Sequence, residues 1–284
     1  MVNKNKKLVH GIYYLILTIV FLVTVFPLFY ILMASFKTNS DILAYPAKLI
    51  TDNMSFDNYI RAWNSPQFQV KYLIGNSLYY TLGSVCIAIF ISSMAGYVFS
   101  RGNFPGKKIV FGCFTALMFI NTGGIGIYAT FEVLNFVHLP QSLPTLLLIG
   151  LFGVPTVNMY LVKGYVDTLP VELNEAAKVD GASFPRTFFT IMLPLLTPIM
   201  ATIGILAFNG SWNNYLMPTI FTLTRPKQRT LIVGLMALKN SGGAATQWDL
   251  MLAGSVIALI PVLCAYICAN KYFVQGLAAG AVKG

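Results

Sequence analysis

Apolar residues in this chain come in long runs separated by short polar segments. Six runs carry the pattern, at roughly 12–35, 72–99, 109–128, 142–163, 191–209 and 250–270. At about 1.5 Å of rise per residue, Ile12–Ala34 covers roughly 35 Å, enough for a tilted membrane helix. Stretches such as Leu146 to Val154 lack the alternation of a barrel strand. A helix also satisfies its own backbone in lipid. The pattern therefore predicts an all-α membrane protein of six transmembrane helices, one membrane domain over 1–284. The first run follows Lys4, Lys6 and Lys7, like a signal peptide, but it is too long for an h-region and lacks a small-residue cleavage site. It is read as a retained span.

Composition agrees. Of 284 residues, 56% are hydrophobic and only 10% charged, against about 25% charged in soluble domains. The net charge of +10 reflects orientation in such a chain rather than nucleic-acid binding, for which no signature is present. The short segments decide that orientation. The N-terminal tail and the tight Arg101–Lys108 loop are basic, so both termini are expected in the cytoplasm. Cys264 and Cys268 share a helical face but have no nearby His, so Cys86, Cys113, Cys264 and Cys268 are read as small packing residues, with no metal site.

One polar island interrupts the apolar pattern. Pro170 can occupy a first helical position, and Glu172 and Glu175 then lie where negative charge complements the helix dipole. Leu173, Ala176 and Ala177 form a narrow stripe of small residues suited to close packing. Gly181 fits a left-handed helix stop. Ser183 can cap a second helix, with Pro185 in its first turn. The predicted unit is a helix–turn–helix over about 164–190, between spans four and five, running into the span that begins near Leu193-Pro194. Chemistry alone leaves two readings open: docking on a soluble partner, or lying on the bilayer surface. Asp167, Glu172, Glu175 and Asp180 disfavour anionic lipid.

The island also has a recognisable spacing. Glu175-Ala176-Ala177, three residues, Gly181, nine residues, then Ile191-Met192-Leu193-Pro194 resembles the loop by which permease subunits of type I ABC importers engage their ATPases. Ser55-Phe56-Asp57-Asn58-Tyr59, Gly75-Asn76-Ser77, Trp212-Asn213-Asn214-Tyr215 and the tail from Gly276 to Gly284 extend the likeness to the carbohydrate-uptake branch, over nearly the whole chain. Phe119-Ile120-Asn121-Thr122-Gly123-Gly124 departs from it, where many relatives carry an Ile-Pro step.

The resemblance implies a multi-pass subunit of the bacterial cytoplasmic membrane that passes a carbohydrate, an oligosaccharide, inward by alternating access. Its implied partners are a second permease, two ABC ATPase subunits and an extracytoplasmic solute-binding protein. ATP and Mg would be held by the ATPase partner, and this chain would need no cofactor. Glu175, Ala176, Ala177, Asp180 and Gly181 would lie on the ATPase-coupling loop. Ser241, Gly242, Gly243 and Ala244 would lie on a loop facing the binding protein, and Gly280 and Lys283 near the ATPase interface.

Substrate contacts are less sharply marked. Asn121 and Thr122 stand inside a predicted span, facing a cavity or bonding across helices. Trp212 with Asn213 and Asn214 offers a stacking face and amides for a sugar, although an interfacial anchor is the commoner role for Trp. No phosphate-binding lysine loop, His-Glu-x-x-His or Gly-x-Ser-x-Gly is present, and no catalytic residue is assigned. The rivals are an importer permease for another small polar solute and an ion-coupled secondary transporter. The second would call for carboxylates deep in the spans, whereas all nine Asp and Glu fall in loops or at span edges.

Overall fold

A computed structural model describes residues 2–64, 68–120, 123–240 and 246–281. Every regular element among them is helical. In chain order these are α1 (Val2–Ala34), α2 (Asn39–Ala44), α3 (Asp57–Asn64), α4 (Val70–Arg101), α5 (Lys107–Leu117), α6 (Gly123–Phe136), α7 (Leu143–Phe152), α8 (Thr156–Thr168), α9 (Glu172–Val179) and α10 (Phe184–Thr187). A wider π-helical stretch, Phe188–Met192, leads to α11 (Leu193–Leu195) and α12 (Thr197–Trp212). Then follow α13 (Leu216–Phe221), a 3-10 turn at Pro226–Gln228, α14 (Leu231–Asn240) and α15 (Trp248–Ala281).

Three described helices are long and apolar enough to cross a membrane: Val9–Ala34 in α1, α4, and Trp248–Cys268 in α15. Two bent pairs, α7 with α8 and the α10–α11 segment with α12, raise the number to five. Proline accounts for both bends. Pro155 has no N–H to donate and follows Gly153, so α7 stops and α8 restarts at 45°. Pro198 stands four residues after Pro194, and the helix turns by 78° at Leu196. The Thr197 hydroxyl donates to the freed Pro194 carbonyl at 2.6 Å. The run at 109–128 is not one helix either. It is divided between α5, which ends at Leu117, and α6, which starts in glycine-rich sequence of low helix propensity.

The chain forms two compact units, Met1–Lys71 with Gly234–Ile260, and Tyr72–Val233 with Pro261–Gly284. In the first, the Ser55–Tyr59 segment clamps the end of α1. Asn58 donates from Nδ2 to the carbonyls of Ser35 and Lys37, at 2.8 and 2.7 Å. Phe36, Phe56 and Tyr59 pack as an aromatic trio. Lys37 is fully buried and its ammonium donates to the carbonyls of Tyr45 and Lys48. Arg61 on α3 pairs at 2.7 Å with the buried Asp249 at the start of α15. Gly254 is required nearby, because a Cβ there would sit 2.7 Å from Leu235 and 2.9 Å from Phe68.

In the second unit, one core gathers Tyr97, Val162, Val166, Phe188, Met192, Leu196, Ile199 and Ile203. It joins α4, α8, the π-helical stretch and α12. A second core joins Tyr80, Leu134, Leu143, Leu146 and Phe221. Gly96 lets α4 and α8 touch, since a Cβ would fall 2.5 Å from Val162. Gly75-Asn76-Ser77 ties α4 to the turn before α14. Asn76 donates to the carbonyls of Lys227 and Arg229, and the Ser77 hydroxyl accepts from the Leu231 amide at 2.7 Å. The four cysteines are exposed in this chain rather than packed inside it, because each projects from the outer side of its helix.

Candidate functional site

The polar island folds as a helical hairpin made of α9 and α10. Pro170 stands just before the helix rather than in it, because the Val171 carbonyl accepts the first amides. Glu172 and Glu175 occupy the first turn and Lys178 the last, each complementing the helix dipole. Gly181 has φ +77, the left-handed stop its position predicts, and an added Cβ would meet nothing within 4 Å. The Ser183 hydroxyl accepts from the Arg186 amide and caps α10, with Pro185 in its first turn.

The hairpin is divided by exposure. Ala177 is 3% exposed and seats the helix, whereas Glu175, Ala176, Asp180 and Gly181 face outward. Val179 is 87% exposed, a large apolar side chain left open on the outer face of α9. The predicted small-residue stripe is thus split, since Ala177 turns inward and Ala176 outward.

Tyr97 holds the inner side, and two further interactions tie α4 to α8 beside it. The Asn174 amide on α9 donates to the Tyr97 hydroxyl on α4 at 2.7 Å. Tyr97 is 1% exposed and stacks on Phe184, centroids 4.6 Å apart, and against Phe188 at 5.3 Å. Arg101, at the end of α4, donates to the carbonyls of Val166 and Leu169, which cap the end of α8. Asp167 on α8 accepts from the Ser100 hydroxyl at 2.6 Å and from Lys163 at 2.7 Å. A cavity of about 470 Å³ remains between hairpin and α4, lined by Tyr97, Arg101, Asn174, Glu175 and Lys178. Beyond α10, the 78° bend at Leu196 turns the chain into α12. The second helix was expected to run straight into the span at Leu193-Pro194. It does not, because Pro194 and Pro198 break the hydrogen-bond ladder there.

This hairpin sits in a chain that matches the family model "binding-protein-dependent transport system inner membrane component" over residues 3–278. The chain belongs to that family. It is thus an inner-membrane transport component. It is 33% identical, over 96% of its length and 97% of the other's, to the arabinooligosaccharides transport system permease protein AraQ of Bacillus subtilis. It is 32% identical to the galactooligosaccharides transport system permease protein GanQ of the same organism, covering 95% and 94%. The fold matches, at TM-score 0.80 and 23% identity, a chain of a bacterial ABC transporter involved in the import of the acidic polysaccharide alginate, covering 95% and 98%.

Among the other candidate residues of this inner-membrane component, Trp212, Asn213 and Asn214 differ in environment. Trp212 is 2% exposed, its ring parallel to Phe208 at 5.7 Å, so it is neither a surface anchor nor an open stacking face in this chain. Asn213 is exposed and turned back on α12, donating to the Asn209 carbonyl and side chain at 3.0 and 2.7 Å. Asn214 lines a cavity of about 410 Å³ with Tyr80, Ser84, Asn158 and Ser211. It approaches the Tyr80 hydroxyl at 3.4 Å. Asn121, Thr122, Ser241, Gly242, Gly243, Ala244 and Lys283 lie outside the described residues.

Sequence reasoning missed Tyr80, Ser84, Asn158 and Ser211 as cavity residues. Asn158 carried a readable signal, an amide in an apolar stretch directly after Gly153-Val154-Pro155. Tyr80 and Ser84 carried one too, hydroxyls at i and i+4 on a single helix face.

Proposed function

We propose that this chain is a permease subunit of an ATP-driven ABC importer that carries an oligosaccharide into the cell by alternating access. The observation that carries the reading is the hairpin. An anchored helix presents Glu175, Ala176, Asp180 and the exposed Val179 outward, and ends on a left-handed Gly181. An exposed apolar side chain among charges suits a groove in a soluble partner better than an anionic lipid surface. The carbohydrate part rests on relatives named for oligosaccharide transport at 30% identity or more over nearly the full chain.

On this reading the subunit has six spans with both termini cytoplasmic, α5 and α6 supplying the third, and forms a single transmembrane domain. It works beside a second, different permease, above two ATPase subunits that hold ATP and Mg, and below an extracytoplasmic binding protein. ATPase closure presses on α9. The Tyr97, Arg101 and Ser100–Asp167 attachments carry the displacement to α4 and α8 as well as along the chain to α12. Ser241–Ala244 faces the binding protein.

The test is reconstitution in proteoliposomes with both permeases, the ATPase and the binding protein. Concentrative uptake of an oligosaccharide is expected with ATP inside, and none when the ATPase is omitted. Uptake that persists without ATPase and follows an ion gradient would instead establish the secondary-transporter reading.

A further inference from the structure

The short helix α3 of the first unit has three distinct sides. Asn58 and Ala62 point inward, at 4% and 0% exposed. Ile60 and Trp63, with Phe56 at the helix start, share a second side and are 59%, 49% and 68% exposed. Asp57, Arg61 and Asn64 are exposed too, but at about 100° per residue they fall on a third side, roughly a quarter-turn from the apolar one. Apolar side chains scattered singly over a surface need no partner, whereas three gathered on one side of a helix do.

The attachments of α3 fix its depth. The membrane-crossing part of α1, Val9–Ala34, has 26 residues. That is about 39 Å of helix, against roughly 30 Å of hydrocarbon and about 40–45 Å with the headgroups included. The Ala34 end therefore lies among the headgroups, and α3 is bound to it. The Tyr59 and Ser35 hydroxyls are hydrogen-bonded at 2.6 Å, Asn58 donates to the carbonyls of Ser35 and Lys37, and the Phe56 ring packs edge-on to Phe36 at 5.0 Å. Arg61 ties α3 at 2.7 Å to Asp249, the second residue of the crossing segment Trp248–Cys268. A helix pinned to the neighbouring ends of two membrane spans lies along the bilayer surface rather than away from it.

We propose that α3 is an interfacial helix whose exposed side, Phe56, Ile60 and Trp63, is inserted into the lipid bilayer at the boundary between headgroups and acyl chains. Its three sides then have three neighbours: Asn58 and Ala62 meet protein, the apolar side meets lipid, and Asp57, Arg61 and Asn64 meet water and headgroups. Trp is favoured in that layer because its ring is amphipathic. Asp57 and Arg61 offset each other in charge, so attachment rests on apolar insertion and not on anionic lipid. With both termini cytoplasmic the leaflet is the outer one, and α3 holds the outer ends of α1 and α15 at a fixed depth. The insertion itself requires only that α1 and α15 cross the membrane, and it stands apart from the importer reading.

The experiment places a nitroxide on Ile60→Cys or on Asn64→Cys, in the full chain with Cys86, Cys113, Cys264 and Cys268 replaced by Ser. Each variant is studied in phosphatidylcholine vesicles, alone and within the complete transporter assembled from cysteine-free partners. Collision with oxygen, which concentrates in lipid, is compared with collision with a water-soluble nickel chelate. The oxygen-to-nickel ratio is expected to be about three- to tenfold higher at Ile60→Cys than at Asn64→Cys, and unchanged by added phosphatidylglycerol. A second measurement leaves the apolar side nearly intact: brominated phosphatidylcholine should quench the tryptophan emission of the wild type more than that of Trp63→Phe, whereas aqueous iodide should quench both alike. Equal ratios at the two labelled positions, or iodide quenching of Trp63, would place the apolar side in water and overturn the proposal. Exclusion of both collision agents from Ile60→Cys would show that protein covers it, a partner subunit if this occurs only in the complete transporter, and would overturn the proposal as well. Either outcome leaves ATP-driven uptake, and the reading based on it, untouched.

Discussion

Removing one oxygen atom from Tyr97 should loosen the hairpin from α4 without unfolding either. In Tyr97→Phe the ring stays stacked on Phe184 and Phe188, but the 2.7 Å bond from Asn174 is lost. A hydrogen bond of this kind contributes about 0.5–1.5 kcal/mol, and a stranded buried donor costs about 1–3 kcal/mol. Asn174 is only half-buried, so water relieves part of the penalty and about 1 kcal/mol is the expected loss. That corresponds to roughly 2–4 °C in Tm for a chain of this size. Tyr97→Ala removes the ring as well and should cost about 3–5 kcal/mol. The decisive assay is a double-mutant cycle of Tyr97→Phe and Asn174→Ala, read both as Tm and as ATP hydrolysed per sugar imported. A coupling energy of about 0.5–1.5 kcal/mol, with more ATP spent per sugar in each single variant, is expected. Strict additivity in Tm together with an unchanged transport stoichiometry would refute the strut.

Gly181→Asn should be milder than Gly181→Leu, because Asn accepts a positive φ whereas other side chains lose about 1–2 kcal/mol there. Since an added Cβ meets nothing within this chain, loss of uptake in Gly181→Leu at normal membrane levels would come from the partner, and full uptake with full ATPase stimulation would end the coupling assignment. Arg61→Ala should destabilise the first unit by about 1–3 kcal/mol, because it leaves the buried Asp249 carboxylate unpaired, while Arg61 itself is half-solvated. An unchanged melting profile would show the pair to be idle. Trp212→Ala should cost about 3–5 kcal/mol and deplete the protein from membranes, whereas Trp212→Phe should keep the wild-type KM. A large KM change with normal levels would instead make Trp212 a sugar contact.

The sequence alone determined what depends on local chemistry. Hydropathy required helices, because an apolar chain in lipid must satisfy its backbone within each segment. The spacing around Gly181 specified a left-handed stop and a capped second helix, because glycine, with no Cβ, takes φ +77 without strain. The family likeness was also legible, carried by Glu175-Ala176-Ala177, Gly181 and Leu193-Pro194. The tertiary structure decided what depends on distant partners. Helical periodicity placed Ala176 and Ala177 on one stripe, but tertiary packing buried only Ala177. Pro194 and Pro198 were visible, yet the 78° turn they permit is fixed by Phe188, Met192 and Ile199 entering one core. Trp212 looked like an anchor or a sugar platform until its burial beside Phe208 showed it to be core. The polar cavity was hidden for the same reason. Tyr80, Asn158 and Ser211 are far apart in sequence, and only the packing of α4, α8 and α12 brings them to one space.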